Sequence, residues 1–516
     1  MTTEIELKYL LSATVDAEQI TDIFKQQNIE FTYQERQLEN SYFDTPDLNF
    51  RQYDMGLRVR RSNEHCEQTI KTAGQVVGGL HSRPEYNVNI NSTTPDLLLF
   101  PDNIWHEEQS VSAIQQQLVI LFTTHFTRHT WLVIDENDNT IEIAFDQGTV
   151  TSGDLSEAIY ELELELCEGN PDALFTLAQV LFDQLPMRPG IKSKAARGYA
   201  LWNTQQNKLE TTRKPNETKQ VKTSEFFICD KNTQSISDAF TLGLNLGLTH
   251  LQNNIAGYIG SQALIDLVKI KDSLAILRHG FWLFESYLTA DELTLRAEIS
   301  HFVNLLAWVD NAVHLQELTN KTGNYRKKIA YSTQVIEQLN IEKRRFPNAD
   351  NMTELLHCSR FNKLQLLVLK MYLSRTQLAE QSNHRASTEL IKFAQNKIQF
   401  SLSEVSDEMK SLISFNSEQY IGQSKLLYRS LLTGTWLSGL FDHELRDNFR
   451  RPWLDLQQGI SELQSLWIIQ QQLQKLDAAP EKLVKWQHSK VDGLLTALDN
   501  TKAIAITMPP YWLDAP

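Results

Sequence analysis

The sequence predicts an α+β chain in two parts: an N-terminal antiparallel β-sheet closed into a tunnel with flanking helices, followed by an all-α helical bundle. Three observations carry this expectation. Up to about residue 203 apolar residues recur at every second position, and beyond about 225 they recur at helical spacing. Between them, 204–224 is polar and nearly devoid of large apolar groups. The expected organisation is a tunnel domain over 1–203, a linker over 204–224 and a helical domain over 225–516.

The alternating runs are EIELK at the start, then GLRVRRS, CEQTIKT, RPEYNVNI, HTWLVID, TIEIAFDQGTV and AIYELELEL. Asp54, Gly56, Asn63, Gly74, Gly78, Gly79 and Gly148 separate them and are read as turn residues. Two helices are expected among the strands, near 16–28 and 171–185, the second with Pro171 and Asp172 where a helix start favours them. Trp202 is expected at the junction of the two halves. Past the linker, SISDAFTLGLNLGLTHLQNNI, LIDLVKIKDSLAILRHGFWLFESYL and QSLWIIQQQLQKL carry apolar faces at helical spacing, in a bundle of at least eight helices.

Side chains alternate faces along a strand, so parity sorts them. Glu4, Glu6 and Lys8 share a face opposite Ile5, Leu7 and Tyr9. Arg58 and Arg60 lie opposite Leu57 and Val59; Thr69 and Lys71 lie together, as do Arg83 and Glu85. Glu142 and Asp146 oppose Ile141, Ile143 and Phe145, and Glu161, Glu163 and Glu165 oppose Leu162, Leu164 and Leu166. A half-exposed strand has such a pattern singly. Its recurrence in six strands, with both signs present, suits a curved sheet that turns its charged face inward and packs its apolar face outward. A charged lining is stable only if carboxylates meet cations or metal and guanidinium groups meet anions. The implied ligand is a polyanion held with divalent metal.

Net charge agrees. The chain carries −15, and residues 1–200 hold 14 Lys+Arg against 31 Asp+Glu, so the acidity belongs to the first part. Nucleic-acid binding is not expected there. No apolar run approaches the ~18 residues that cross a bilayer, and the N-terminus shows no signal-peptide pattern. Cys66, Cys167, Cys229 and Cys358 form no CxxC pattern, which suits a reducing cytoplasm.

The series EIELK, GLRVRR, TIKTAG, RPEY, Arg128 in TRHTW, EIAFDQG, ELELE and KSKAARGY resembles the CYTH family of triphosphate tunnel metalloenzymes over roughly residues 1–200, and the helical half resembles a CHAD domain. The resemblance extends to the bacterial CYTH–CHAD inorganic triphosphatases. It implies hydrolysis of inorganic triphosphate to diphosphate and phosphate, with Mg²⁺ or Mn²⁺. Alternatives are a thiamine triphosphatase, an adenylyl cyclase, or a polyphosphate-binding adaptor without catalysis.

The resemblance assigns Lys8, Arg58, Arg60, Lys71, Arg83, Arg128, Lys192 and Lys194 to phosphoryl oxygens. Glu85 joins that substrate site, where it and Glu142 orient arginines. Lys194 is favoured over Lys192, and Arg197 either binds or anchors the next helix. The metal candidates are Glu4, Glu6, Asp146, Glu163 and Glu165, with Glu163 and Glu165 preferred over Glu161. Glu4, Glu6 and Lys8 form the expected catalytic set, with Glu4 or Glu6 acting on the attacking water. No Ser, Cys or His stands in a nucleophile motif, so metal-assisted attack of water is the expected chemistry. His81, His106, His125 and His129 are expected at the surface or at caps. In the helical half, Lys271 and Arg278 keep basic positions of the CHAD pattern, whereas Val268, Ala275 and Ile276 replace others. HELRDNFRR adds His443, Arg446, Arg450 and Arg451, and Pro452 is expected to stop that helix. Long-chain polyphosphate binding by this half is expected to be weak.

Overall fold

The computed structural model describes residues 2–11, 14–62, 65–211, 226–323, 325–330, 332–381 and 387–513. Asn63 and residues 212–224 of the expected linker lie outside the described residues. The chain divides into two compact units, residues 1–222 with 355–366 and residues 223–354 with 367–516. The short segment 355–366 thus groups with the first unit, which a single boundary near 225 does not anticipate.

The first unit is built on ten strands: β1 (Thr2–Leu11), β2 (Phe31–Asp44), β3 (Gly56–Ser62), β4 (His65–Lys71), β5 (Gln75–Val77), β6 (Leu80–Ile90), β7 (Val119–Ile134), β8 (Thr140–Ser152), β9 (Leu155–Glu168) and β10 (Met187–Pro189). Eight close into an antiparallel ring in the order β1, β9, β8, β7, β2, β3, β4, β6 and back to β1. The three-residue strands β5 and β10 attach to β6 and β1. The registers place Glu4 opposite Arg83, Glu6 opposite Glu165, and Lys8 opposite Glu163.

Apolar parity packs outward. Leu57, Val59 and Ile70 are buried with Phe50, Leu97, Phe100 and Ile114 from the segments beside the ring. Tyr9 meets Phe182 edge-on at 5.0 Å, from the helix Asp172–Phe182. Trp131 is fully buried, and its Nε1 donates to Thr21 Oγ1 (3.0 Å) of the helix Ala17–Gln26. That helix starts on a capping box: Asp16 accepts from the Gln19 N–H, and the Gln19 side chain accepts from the Asp16 N–H. Gly148, expected in a turn, lies inside β8. A Cβ there would stand 2.0 Å from the His125 carbonyl oxygen of β7, so the glycine marks a close backbone approach within the sheet.

One end of the ring is covered by the helix Lys194–Thr211, which runs on through the first eight residues of the expected linker. Tyr199 packs against Phe122 (5.2 Å), and its hydroxyl donates to Asp44 Oδ2 (2.8 Å). Trp202 packs against Leu38, Tyr42, Phe122 and Phe126, as part of the first unit.

The regular elements of the second unit are helical, the longest being Ile236–Ser261, Leu264–Leu283, Ser417–Leu437, His443–Gln474 and Glu481–Ala505. Pro452 does not stop its helix. It sits inside His443–Gln474, where Phe449, Trp453, Leu456, Ile460 and Leu463 continue one buried face. A helix-interior proline costs about 3 kcal/mol, and each large apolar side chain buried along that face returns roughly 1.5–3 kcal/mol.

Trp436 is fully buried and donates Nε1 to the Ile276 carbonyl (3.0 Å). Its ring occupies the space that Gly243 and Gly280 leave open; a Cβ on Gly280 would come within 2.2 Å of it. Gly280→Ala gains up to ~1 kcal/mol of helix propensity but overpacks this contact at a cost of about 1–3 kcal/mol. The net expectation is a lower denaturation midpoint for the variant in urea. An unchanged or higher midpoint would contradict this packing.

Candidate active site

The charged parity faces converge on one cavity of about 500 Å³ inside the ring. Glu4, Glu6, Lys8, Arg58, Arg60, Lys71, Arg83, Glu85, Arg128, Glu163, Glu165 and Lys194 line it. Lys192 does not: it is exposed and precedes the helix whose first residue is Lys194. Ser193 Oγ accepts the Ala196 N–H (3.1 Å) and so fixes where that helix starts, which turns the two lysines apart. Asp146, predicted among the metal carboxylates, does not line it either; it and Glu161 are fully buried against Glu163 of the wall. The charged groups of the wall and those packed against it fall into three regions of different charge balance.

The first region is saturated. Asp146, Glu161 and Glu163 are buried, with carboxylate oxygens within 4.8 Å of one another. Arg128 donates Nε and Nη2 to the two oxygens of Asp146 (2.7 Å each), and Nη2 also reaches Glu163 (2.7 Å). Lys8 Nζ lies 2.6 Å from Glu163 and 3.6 Å from Glu161. Lys194 Nζ lies 2.6 Å from Asp146 and 3.0 Å from Glu163, and also pairs with Glu161. Arg197 joins Glu161 (3.0 Å) to Glu157 (2.7 Å), which makes it an anchor for the covering helix. Burial alone would raise the Asp146 and Glu163 carboxyls. Arg128 and Lys194 at Asp146, and Lys194, Lys8 and Arg128 at Glu163, outweigh it and hold both below the usual range. The ligand spacing suits a cation, but four protein cations already neutralise these three acids. Glu161, passed over in the sequence, is part of this group.

The second region lacks positive charge. Glu6 and Glu165 face each other across β1 and β9. Burial, then Glu163 and Glu4, push the Glu6 carboxyl up to about 8; its nearest cation, Lys8, is 3.8 Å away. Burial, then Glu4 and Glu142, push Glu165 up to about 7. Among the described residues no ion pair reaches Glu165. Glu4 accepts from Lys71, whose Nζ is also 3.3 Å from Glu85. Carboxyls crowded to this degree, short of protein cations, are chemically suited to a hard divalent cation.

The third region lacks negative charge. Arg58 Nη2 donates to Glu85 (3.1 Å), while its buried Nε has no hydrogen-bond partner. Arg83 Nη2 lies 3.9 Å from Asp54, and its buried Nε is likewise unpartnered. Arg60 donates Nε to Asn40 Oδ1 (3.0 Å) and meets no carboxylate among the described residues; burial, then Arg58 and Arg128, lower its pKa to about 10. Buried guanidinium N–H groups without acceptors are costly, and they offer bidentate sites to phosphoryl oxygens.

Sequence reasoning missed His81, which was expected at the surface. It is 4% exposed and lines the cavity. The signal was its even spacing from Arg83 and Glu85 in HSRPE. His129 sits on the other parity, where Tyr33 Oη lies 2.8 Å from its Nδ1.

Residues 2–199 match the family model of the CYTH domain. That match spans the ten strands and the start of the helix that follows them. The inorganic triphosphatase of Haemophilus influenzae is 37% identical over 209 residues, which are 40% of this chain and 56% of that protein. The chain thus spans little more than half the length of this curated relative. Among solved structures, the CHAD domain of Ricinus communis is similar over 56% of this chain and 99% of its own (15% identity, TM-score 0.39). HpAC1 of Hippeastrum, described as having a dominant triphosphatase activity, covers 39% of this chain and 96% of its own (20% identity, TM-score 0.31). Among the described residues no helix is long and apolar enough to cross a membrane.

The charge balance of the tunnel predicts a pH dependence. Glu6 titrates near 8 in the folded state against an ordinary 4.5. A raised pKa contributes stability that is complete below the ordinary value and lost as pH rises through 8; Glu165 acts likewise near 7. Asp146 and Glu163 are depressed, so their contribution is present above their ordinary values and lost as pH falls. In EDTA the melting temperature should therefore fall on both the acid and the alkaline side. Mg²⁺ should restore it mainly on the alkaline side, where Glu6 and Glu165 are ionised. A melting temperature that rises steadily from pH 6 to 9 in EDTA would contradict the shifts.

Proposed function

We propose that the tunnel is the active site of a divalent-metal-dependent inorganic triphosphatase, which hydrolyses tripolyphosphate to diphosphate and phosphate. One observation carries this reading: the same cavity holds a wall short of cations, at Glu6 and Glu165, and a wall short of anions, at Arg58, Arg60 and Arg83. A polyphosphate chain together with metal supplies what both walls lack. The curated relative's name points to the same substrate.

Arg58, Arg60, Arg83 and Lys71 grip phosphoryl oxygens. Lys8, Arg128 and Lys194 offer further N–H groups once substrate oxygens compete with Asp146 and Glu163. Glu85 holds Arg58 and Lys71 in place (3.1 and 3.3 Å). Glu4, Glu6 and Glu165 would hold Mg²⁺ or Mn²⁺, and Glu163 would contribute an oxygen once Lys8 and Lys194 turn to substrate; Asp146, off the cavity wall, keeps Arg128 and Lys194 in place. When bound, the cation offsets phosphoryl charge and makes water a better nucleophile. The water oxygen bonds to the terminal phosphorus as the bridging P–O bond breaks toward diphosphate. Glu4 or Glu6, whichever keeps an oxygen free of the metal, is assigned to orient the water and accept its proton. Arg58, Arg60 and Lys8 meet the charge that develops on the oxygens.

The test is kcat/KM for tripolyphosphate, thiamine triphosphate, ATP and long-chain polyphosphate, each with Mg²⁺ and Mn²⁺. Tripolyphosphate should lead by at least ~10-fold. A lead by thiamine triphosphate, or cyclic AMP formation from ATP, would replace the substrate assignment; binding without turnover would replace the enzyme assignment.

The helical unit is assigned weak affinity for long-chain polyphosphate. Lys271 pairs with Asp310, Arg278 donates to Ser300 (2.7 Å), and Arg296 and Arg429 pair with Glu285 (3.0 Å) and Glu404 (3.2 Å). Of the cluster near His443, Arg450 is buried and Arg446 lies over the Phe227 ring at 4.0 Å and donates to Asp447. Polyphosphate would have to displace these partners.

A further inference from the structure

We propose that His81 is a positioning residue that clamps the Gly190 peptide and, through residues 191–193, sets Lys194 against the tunnel. The inference rests on the reading of Lys194 as a phosphate ligand given above.

The clamp is visible on both sides of one residue, in the two peptides that flank the Gly190 Cα. The Gly190 N–H donates to the Lys8 carbonyl (2.8 Å), and the Lys8 N–H donates to the Gly79 carbonyl (2.9 Å). His81 Nε2 stands 3.1 Å from the Gly190 carbonyl oxygen. A carbonyl only accepts, so Nε2 carries the proton. The ring stays neutral beside the Lys8 ammonium, because burial and Lys8 press its pKa down to about 3. It therefore adds no charge to the site.

Glycine is needed at the clamped position, since a Cβ on Gly190 would stand 2.9 Å from Lys8 Cγ. Three residues on, Ser193 caps the helix and Lys194 projects to Asp146 and Glu163. Ile191, Ser193 and Lys194 all line the cavity. A glycine whose preceding N–H and following C=O are both held has little freedom to swing, so Lys194 enters the site from a fixed origin. The same clamp ties β1, which carries Glu4, Glu6 and Lys8, to the start of the covering helix.

The test is a double-substitution cycle on the full chain, with tripolyphosphate and Mg²⁺. His81→Leu keeps an apolar side chain there but loses the donor. It should raise KM about tenfold, the size of one hydrogen bond, with a smaller change in kcat. His81→Gln, whose amide can donate, should recover most of the loss. Lys194→Ala should itself raise KM, and His81→Leu should add little to it, because both act through Lys194. If His81→Leu fails to fold, His81→Met, which likewise lacks the donor, takes its place in the cycle and should show the same non-additivity. Independent, multiplying effects of His81→Leu and Lys194→Ala would overturn the proposal, as would wild-type KM in His81→Leu. Full activity in Lys194→Ala alone would instead overturn the phosphate role of Lys194, and this proposal with it.

Discussion

Glu6→Gln should lower kcat for tripolyphosphate by at least ~10²-fold, as expected for loss of a metal ligand or of transition-state support. The change keeps the side chain's size, so effects on packing are small. In the metal-free fold Glu6 is already short of cations, and its carboxyl is held up near 8. Replacing it with a neutral amide should therefore leave the fold intact, or stabilise it in EDTA at alkaline pH. Loss of turnover together with unchanged or higher melting temperature would separate function from folding at this position. Glu4→Gln should behave similarly in turnover, but it also frees Lys71, which now pairs with Glu4. Near-normal kcat in both variants would contradict their assignment.

Arg58→Ala should act mainly on KM, raising it by about 10–100-fold, the range of a lost charge-assisted pair of hydrogen bonds. Arg58 faces the phosphate chain before and during reaction, so most of its contribution is uniform binding. Arg60→Ala should weaken binding too, yet it removes a guanidinium that meets no carboxylate among the described residues and has its pKa lowered to about 10. The metal-free protein should therefore tolerate Arg60→Ala better than Arg58→Ala, which leaves Glu85 with only Lys71 as its close partner. Steady-state kinetics and thermal unfolding of both variants check this. A large loss in kcat with unchanged KM would contradict the division of roles.

Much of the tunnel was legible because strand parity is a local property. Leu57 and Val59 against Arg58 and Arg60 already separate outside from inside, whichever strands become neighbours. What parity cannot do is rank residues that share it. Glu161, Glu163 and Glu165 are equivalent by alternation; only Arg197 and Lys194, more than thirty residues away, commit Glu161 to the saturated group and leave Glu165 outside it. Lys194 was favoured over Lys192 by resemblance alone; the physical reason, the helix start at Ser193, shows only in the structure. His81 shares parity with Arg83 and Glu85, but its role stayed hidden because its partner is a backbone carbonyl 109 positions along the chain. Gly148 and Pro452 misled for a common reason. Both residues usually interrupt regular structure, and here a close β7 backbone and a long buried helix face override that tendency.

The central claim is that the two unbalanced walls together bind a polyphosphate with metal and turn it over. The most direct measurement is phosphate release from tripolyphosphate by the purified chain in EDTA, in EDTA followed by excess Mg²⁺ or Mn²⁺, and in the Glu6→Gln variant with the same metals. The account predicts no release in EDTA, one phosphate and one diphosphate per tripolyphosphate once metal is restored, and release reduced at least ~10²-fold in Glu6→Gln. Undiminished release in EDTA, or full activity in Glu6→Gln, would contradict it.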